Sequence, residues 1–118
     1  MRRFPPASDL QFLVGKELEQ ICLGLWQFQF RFDAGGISVE GALEHVDSNG
    51  VVRRHNTDED RLKPLLVHHL IGQKVIDCAV EPFCLTLTFE RDTLRVYSED
   101  GPYEDGQIYD NAGVFVVF

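Results

Sequence analysis

The chain carries none of the short motifs that announce a chemistry. No G-x-S-x-G elbow, no P-loop and no dinucleotide fingerprint occurs in its 118 residues, which removes the motif-borne routes to nucleophilic catalysis and nucleotide binding. An enzyme is therefore not expected, and no cofactor is implied. Cys22, Cys78 and Cys84 are an odd number, lack C-x-x-C spacing and lie in apolar stretches. They read as buried thiols of a reducing compartment, with a Cys78 to Cys84 disulfide as the lesser alternative. Metal ligation is equally poorly supplied. His68 and His69 are neighbours on an expected helix, so their rings diverge by about 100°. His45 and His55 have no Cys or carboxylate at ligand spacing. His69 falls on an apolar stripe and reads as a core or boundary residue.

Long apolar runs and basic stripes are missing too. Behind Arg2 and Arg3 no segment reaches signal-peptide length, and nothing approaches a membrane span. Cytoplasmic residence away from membranes is the expectation. Nucleic-acid binding needs a basic stripe to neutralise phosphates, yet Arg53 and Arg54 share their surroundings with Asp58, Glu59 and Asp60.

What is present is an ordinary globular balance, with 44% apolar and 25% charged residues. At about 100–200 residues per domain, residues 1–118 form one domain with room for a core. The net charge of −8 is unevenly spread: after Tyr97 come Glu99, Asp100, Glu104, Asp105 and Asp110 with no Lys or Arg. A basic protein is the natural complement to such a surface.

Self-similarity is the most specific signal. A shift of 57 positions lays Leu13-Val14-Gly15 on Leu70-Ile71-Gly72, Trp26 on Phe83, and Phe28, Phe30 and Phe32 on Leu85, Leu87 and Phe89. With six further residues inserted, Asp47-Ser48-Asn49-Gly50-Val51 falls on Asp110-Asn111-Ala112-Gly113-Val114. The insertion is the acidic loop from about Ser98 to Asp105. Pseudo-repeats at about 7–55 and 62–118 follow, each a short helix ending at glycine and about four strands. Leu62, Leu65, Leu66, His69 and Leu70 place the main helix at about 60–71, with Asp60, Asn56 or Thr57 as its cap.

Period-two alternation supplies the strands. With Asp33-Ala34-Gly35-Gly36 as a loop, Phe32 pairs with Ile37, Phe30 with Val39, Phe28 with Gly41 and Trp26 with Leu43. In the second half Phe89 pairs with Leu94 and Leu87 with Val96. Both hairpins then have one apolar face. The expected class is α+β, mainly antiparallel β, as a sandwich or partly closed barrel of about eight strands. Asp47–Gly50 and Asp110–Gly113 lack the ligand set of a calcium loop and read as matched turns. Val114-Phe115-Val116-Val117-Phe118 is apolar on both faces, which favours a central strand. A homodimer through that strand or another edge stays open.

The order Leu13-x-Gly15, Leu70-x-Gly72-x-x-Val75, Leu85-x-Leu87-x-Phe89, Leu94-x-Val96 and Tyr103-Glu104 resembles a family of small uncharacterised bacterial proteins of strand-rich, internally repeated build. That resemblance covers about Leu13 to Asp110 and brings no established activity.

Two functions remain. The first is a non-enzymatic interaction module, in the style of immunity proteins. It presents Glu99, Asp100, Tyr103, Glu104 and Asp105 to a basic partner. The alternative is a small-molecule binding module whose aromatic interior has a cavity beside Trp26, Phe28 and Phe83.

Overall fold

The computed structural model describes residues 2–57, 60, 62–99, 101 and 104–118. Its ten named strands are β1 (Gln20–Leu23), β2 (Phe28–Phe32), β3 (Gly35–Val39), β4 (Ala42–Val46), β5 (Val52–Asn56), β6 (Val75–Glu81), β7 (Cys84–Phe89), β8 (Thr93–Tyr97), β9 (Gly106–Asp110) and β10 (Gly113–Val117). All pairings are antiparallel, in two five-stranded sheets ordered β1-β2-β3-β9-β10 and β5-β4-β8-β7-β6. Each sheet takes three consecutive strands from one half of the chain and two from the other.

The alternation of apolar residues puts one face of each sheet inside. Phe30, Ile37 and Ile108 of the first sheet join Leu43, Leu87 and Leu94 of the second in one core. The Phe32 and Phe89 rings stack across the two sheets with centroids 6.4 Å apart. Facing sheets that share their core make a sandwich.

The number of strands exceeds the expected eight, since each half has five strands rather than four. The helix placed at about 60–71 contracts to a 3-10 turn, Val67–Leu70, and the earlier one is also 3-10, Ala7–Leu13. The caps explain part of this. Asp60 closes the loop after β5 by accepting the Asn56 N–H at 2.9 Å, and the residue before Val67 is Leu66, which has no capping side chain. On this short turn His69 is exposed, not on a buried stripe.

Both hairpin registers differ from the expected ones by two residues. Asp33-Ala34 is the whole turn, so Phe32 pairs with Gly35, Phe30 with Ile37 and Phe28 with Val39. Likewise Leu87 pairs with Leu94 and Leu85 with Val96. An even slip changes partners but not faces, so Phe30, Phe32, Leu85, Leu87 and Phe89 stay inward, while Trp26 is exposed. The expected pairing of Trp26 with Leu43 fails for another reason. At Glu40-Gly41 the chain leaves one sheet, and β4 belongs to the other. The chain changes sheets again between the end of β8 at Tyr97 and the start of β9 at Gly106.

The central strand expected at the C-terminus is an edge strand, β10. It reconciles its apolar character by burying Phe118 and packing Val116 against the core, while Val114 is exposed. The two turns compared with calcium loops are turns: Asp47 Oδ1 accepts the N–H groups of Asn49 and Val51 at 2.9 and 3.0 Å, and Asp110 Oδ1 accepts that of Ala112 at 2.8 Å.

Between the sheets, the segments leaving the two 3-10 turns cross. Gly15 donates to the Val75 carbonyl at 2.7 Å, and Gly72 donates to that of Leu18 at 2.8 Å. Leu18 donates to Gln73 and Val75 to Lys16, each at 3.0 Å. Glu17 and Lys74 form a bridge between these pairs. Gly15 and Gly72 have φ of 83° and 89°, a conformation that glycine adopts without strain.

Candidate functional site

The β1–β2 hairpin turns through Gly24-Leu25-Trp26-Gln27, closed by the Gly24 N–H to the Gln27 carbonyl at 2.8 Å. Its apolar residues have no core to enter: Leu23 is 69%, Leu25 59% and Trp26 62% exposed. Below them a cleft of about 380 Å³ opens against β5 and the approach to the second 3-10 turn. Leu23, Leu25 and Phe28 line one side, Leu65 and Val67 the other, and His55 the floor, with Thr57 and Lys63 supplying polar groups. The volume lies in the range of ligand and side-chain pockets. A wider depression of about 670 Å³ beside Asp9, Phe12 and the turn at Asn111 lies over turn residues.

The cleft floor contains an unusual group. His55 is only 3% exposed, its ring centroid lies 5.2 Å from that of Phe28, and its Nδ1 has no hydrogen-bond partner among the described residues. A buried polar atom left unpaired is costly. Lys63, at the rim, pairs with Asp60 at 2.8 Å.

The acidic segment is tied to this wall. The Asp105 carbonyl accepts the N–H groups of Glu40 and Gly41 at 2.7 and 3.1 Å. The carbonyls of those two residues accept the hydroxyl and the N–H of Thr57. Burial, and then repulsion from Glu104 and Asp105, raises the Glu40 carboxyl above the ordinary carboxylate range. Three carboxylates thus crowd one corner of the fold beside the cleft.

The acidic residues are less free than a solvated loop implies. Glu99 is half-exposed and its carboxylate pairs with Arg54, which stacks 4.6 Å from the centre of the Tyr97 ring. Asp105 accepts the Glu99 N–H through its carboxylate at 2.6 Å. Glu104 lies 3.4 Å from the Gln107 amide. Asp100 and Tyr103 lie outside the described residues. Of the expected pocket residues, Phe28 lines the cleft and Trp26 stands outside on its lip. Phe83 occupies the β6–β7 turn, far along the chain, with the Arg3 guanidinium 5.9 Å from its ring centre. Among the described residues Trp26 and Phe83 stand exposed on separate hairpin turns rather than together in the interior, where Phe30, Phe89 and their neighbours are buried. Residues missed by period-two reading are Leu23 and Leu25. Their signal was the break in alternation at Gly24.

A second polar cluster lies inside the sandwich. His45, fully buried on β4, donates from Nε2 to Asp92 Oδ2 at 2.6 Å, and Gln73 donates to Asp92 Oδ1 at 2.9 Å. Gln73 also accepts the Arg91 N–H at 2.9 Å. Burial alone would raise the Asp92 carboxyl, but bonds from Gln73 and His45 hold it below its ordinary value. His45 Nδ1 has no partner among the described residues. Every member faces the protein interior, so the cluster organises structure rather than a surface.

All three cysteines are free thiols, so the Cys78 to Cys84 bridge is not formed. Burial, helped by Asp77, pushes the Cys78 thiol up to about 11, which removes it as a nucleophile at neutral pH. Among the described residues no group of three His, Cys, Asp or Glu side chains is placed to hold a metal. No helix among them is long and apolar enough to cross a membrane. Comparison with known proteins found no matching family model, no matching curated protein and no matching solved structure.

Proposed function

We propose that the protein is a non-enzymatic interaction module whose contact surface is the cleft under the β1–β2 turn, with the acidic segment as its charged flank. The observation that carries this reading is the exposure of Leu23, Leu25 and Trp26 together around a cleft of about 380 Å³. Contiguous apolar groups of this size on a small domain mark contact sites. Apolar anchors supply affinity, and Glu40, Glu104 and Asp105 favour a basic partner by attracting it at long range. The acidic segment thus acts beside an apolar anchor rather than alone.

Leu25→Asp in the full chain tests this. Proteins held by the immobilised wild type at low salt are expected to be lost by the variant and released as salt rises. A retained set indifferent to both overturns the reading.

One observation favours a second reading, a small apolar ligand in the same cleft. His55 Nδ1 is a buried, unpaired polar atom at the cleft floor, the kind of group that orients a ligand. Native mass spectrometry of the purified protein distinguishes the two, since a retained small molecule lost in Leu25→Asp supports the ligand.

We further infer that the two halves are copies of one unit of a 3-10 turn and five strands. Support comes from the crossed bonds, in which Gly15, Leu18, Lys16 and Val75 take places 57 positions from Gly72, Val75, Gln73 and Leu18. The crossing between sheets takes two residues in the first half and eight in the second, which is where the six extra residues fall.

A further inference from the structure

Under the proposed duplication the cleft has a counterpart elsewhere in the same molecule. A shift of 57 lays Leu23 and Phe28 on Val80 and Leu85, and the turn Leu25-Trp26 on Pro82-Phe83. With the six inserted residues, His55 falls on Phe118. Strand registers agree with this mapping. Leu23 pairs with Phe28 as Val80 does with Leu85. His55 stands opposite Leu43, while Phe118 exchanges both backbone hydrogen bonds with Gly106, the counterpart of Leu43.

The counterpart place is occupied, and its occupant is a short extended segment of the chain. Phe4 is 6% exposed, and its ring centroid lies 4.5 Å from that of Phe118. Its N–H donates to the Pro82 carbonyl at 3.0 Å. Arg3 covers the Phe83 ring, and the Arg2 N–H donates to Ser98 Oγ at 3.2 Å. An Arg-Arg-Phe segment therefore enters this geometry ring first, with its backbone held at the hairpin turn.

On the first half His55 replaces the Phe118 floor, and among the described residues the place is open. We propose, on the basis of the interaction reading above, that the cleft binds an extended segment of a partner protein carrying a phenylalanine-like ring with basic flanks, as Phe4 and its neighbours bind the counterpart. The ring enters between Phe28, Leu25 and Val67 and lies over His55. The Leu25 carbonyl holds the place of the Pro82 carbonyl along the incoming backbone. Basic flanks are set by charge complementarity. The chain carries −8 overall, and Glu40, Glu104 and Asp105 gather behind Thr57 in the cleft wall. A second copy of this chain is a poorer occupant, since its Phe4 is already buried in its own fold.

The probes are a peptide copied from residues 2–6, Arg-Arg-Phe-Pro-Pro, and its counterpart with alanine for phenylalanine. Each is titrated into the isotope-labelled full chain at low salt and followed by NMR. The phenylalanine peptide is expected to shift the resonances of Leu25, Phe28, His55 and Val67. It is also expected to bind at least about tenfold more tightly than the alanine peptide, the effect of burying one aromatic side chain. Leu25→Asp, a change at an exposed position, removes the shifts while the rest of the spectrum stays in place. His55→Phe, which rebuilds the Phe118 floor, keeps or tightens binding. Equal binding of both peptides overturns the proposal, as do shifts centred on Pro82 and Phe118. If neither peptide binds while Leu25-dependent protein capture persists, the aromatic-segment proposal falls and the interaction reading stands. If capture is also indifferent to Leu25→Asp, both fall.

Discussion

Asp92 is held between two donors inside the sandwich, and its charge is tolerated there because both bonds are made. Removing the carboxylate leaves the buried His45 Nε2–H unpaired and takes one of the two acceptors of the Gln73 amide, which keeps the His69 carbonyl. Asp92→Ala is expected to cost about 1–3 kcal/mol, the usual effect of leaving a buried donor unpaired, as measured by urea unfolding. The folded-state value of this carboxyl lies below its unfolded value of about 3.9. Its contribution is therefore complete above that pH and is lost as pH falls through the folded value. Wild-type stability should decline more steeply in acid than that of Asp92→Asn. Asp47, lowered by its bond from Arg53 and then by backbone N–H groups, acts in the same direction in both proteins. None of this cluster was visible in sequence spacing. His45 and Asp92 are 47 positions apart, and a histidine on an inward-facing position cannot name its partner until β4 and β8 lie side by side. The same holds for His55 and Phe28. Each residue's face followed from alternation, while their contact needed two sheets.

The acidic segment shows how one element can divide its residues between structure and surface. Asp105 accepts the Glu99 N–H and anchors the sheet crossing through its carbonyl, whereas Glu104 mainly adds charge near Glu40. Asp105→Ala is expected to lower stability by about 1.5–3 kcal/mol, the worth of a hydrogen bond to a charged group. Glu104→Gln should leave stability within about 0.5 kcal/mol and bring the Glu40 carboxyl down, which an NMR pH titration of that side chain reads. A Glu40 titration unchanged by Glu104→Gln contradicts this account. Reading the turns was less successful than reading the faces. A four-residue loop at Asp33–Gly36 is as compatible with alternation as the two-residue turn that forms, because the two registers differ by an even slip. The structure takes the register that lets Gly35 and Gly36 enter β3, where Gly36 lies beneath the Tyr109 ring on β9. That neighbour is more than 70 positions away in the chain and left no local trace.

In the whole molecule, neither half owns a sheet. β9 and β10 complete the sheet begun by β1, β2 and β3, and β4 and β5 complete the other. Folding of either half thus depends on the other, and unfolding should be a single cooperative event. Native-state hydrogen exchange is the check: amides of β3 and β8, central in their sheets, should open with one common free energy equal to that of global unfolding. A lower value for one sheet contradicts the shared core. The sequence by itself determined the mainly antiparallel class, the inward face shared by Phe30, Phe32, Leu85, Leu87 and Phe89, and the turn at Asp47–Gly50, because each depends on local alternation or local turn chemistry. Only the tertiary structure decided that the described residues form ten strands, that β10 lies at an edge, and that Leu23, Leu25 and Trp26 stand outside the core. Those outcomes depend on where the chain crosses between sheets at Glu40-Gly41. A crossing of two residues costs the sequence no visible punctuation, yet it reassigns the neighbours of every strand that follows.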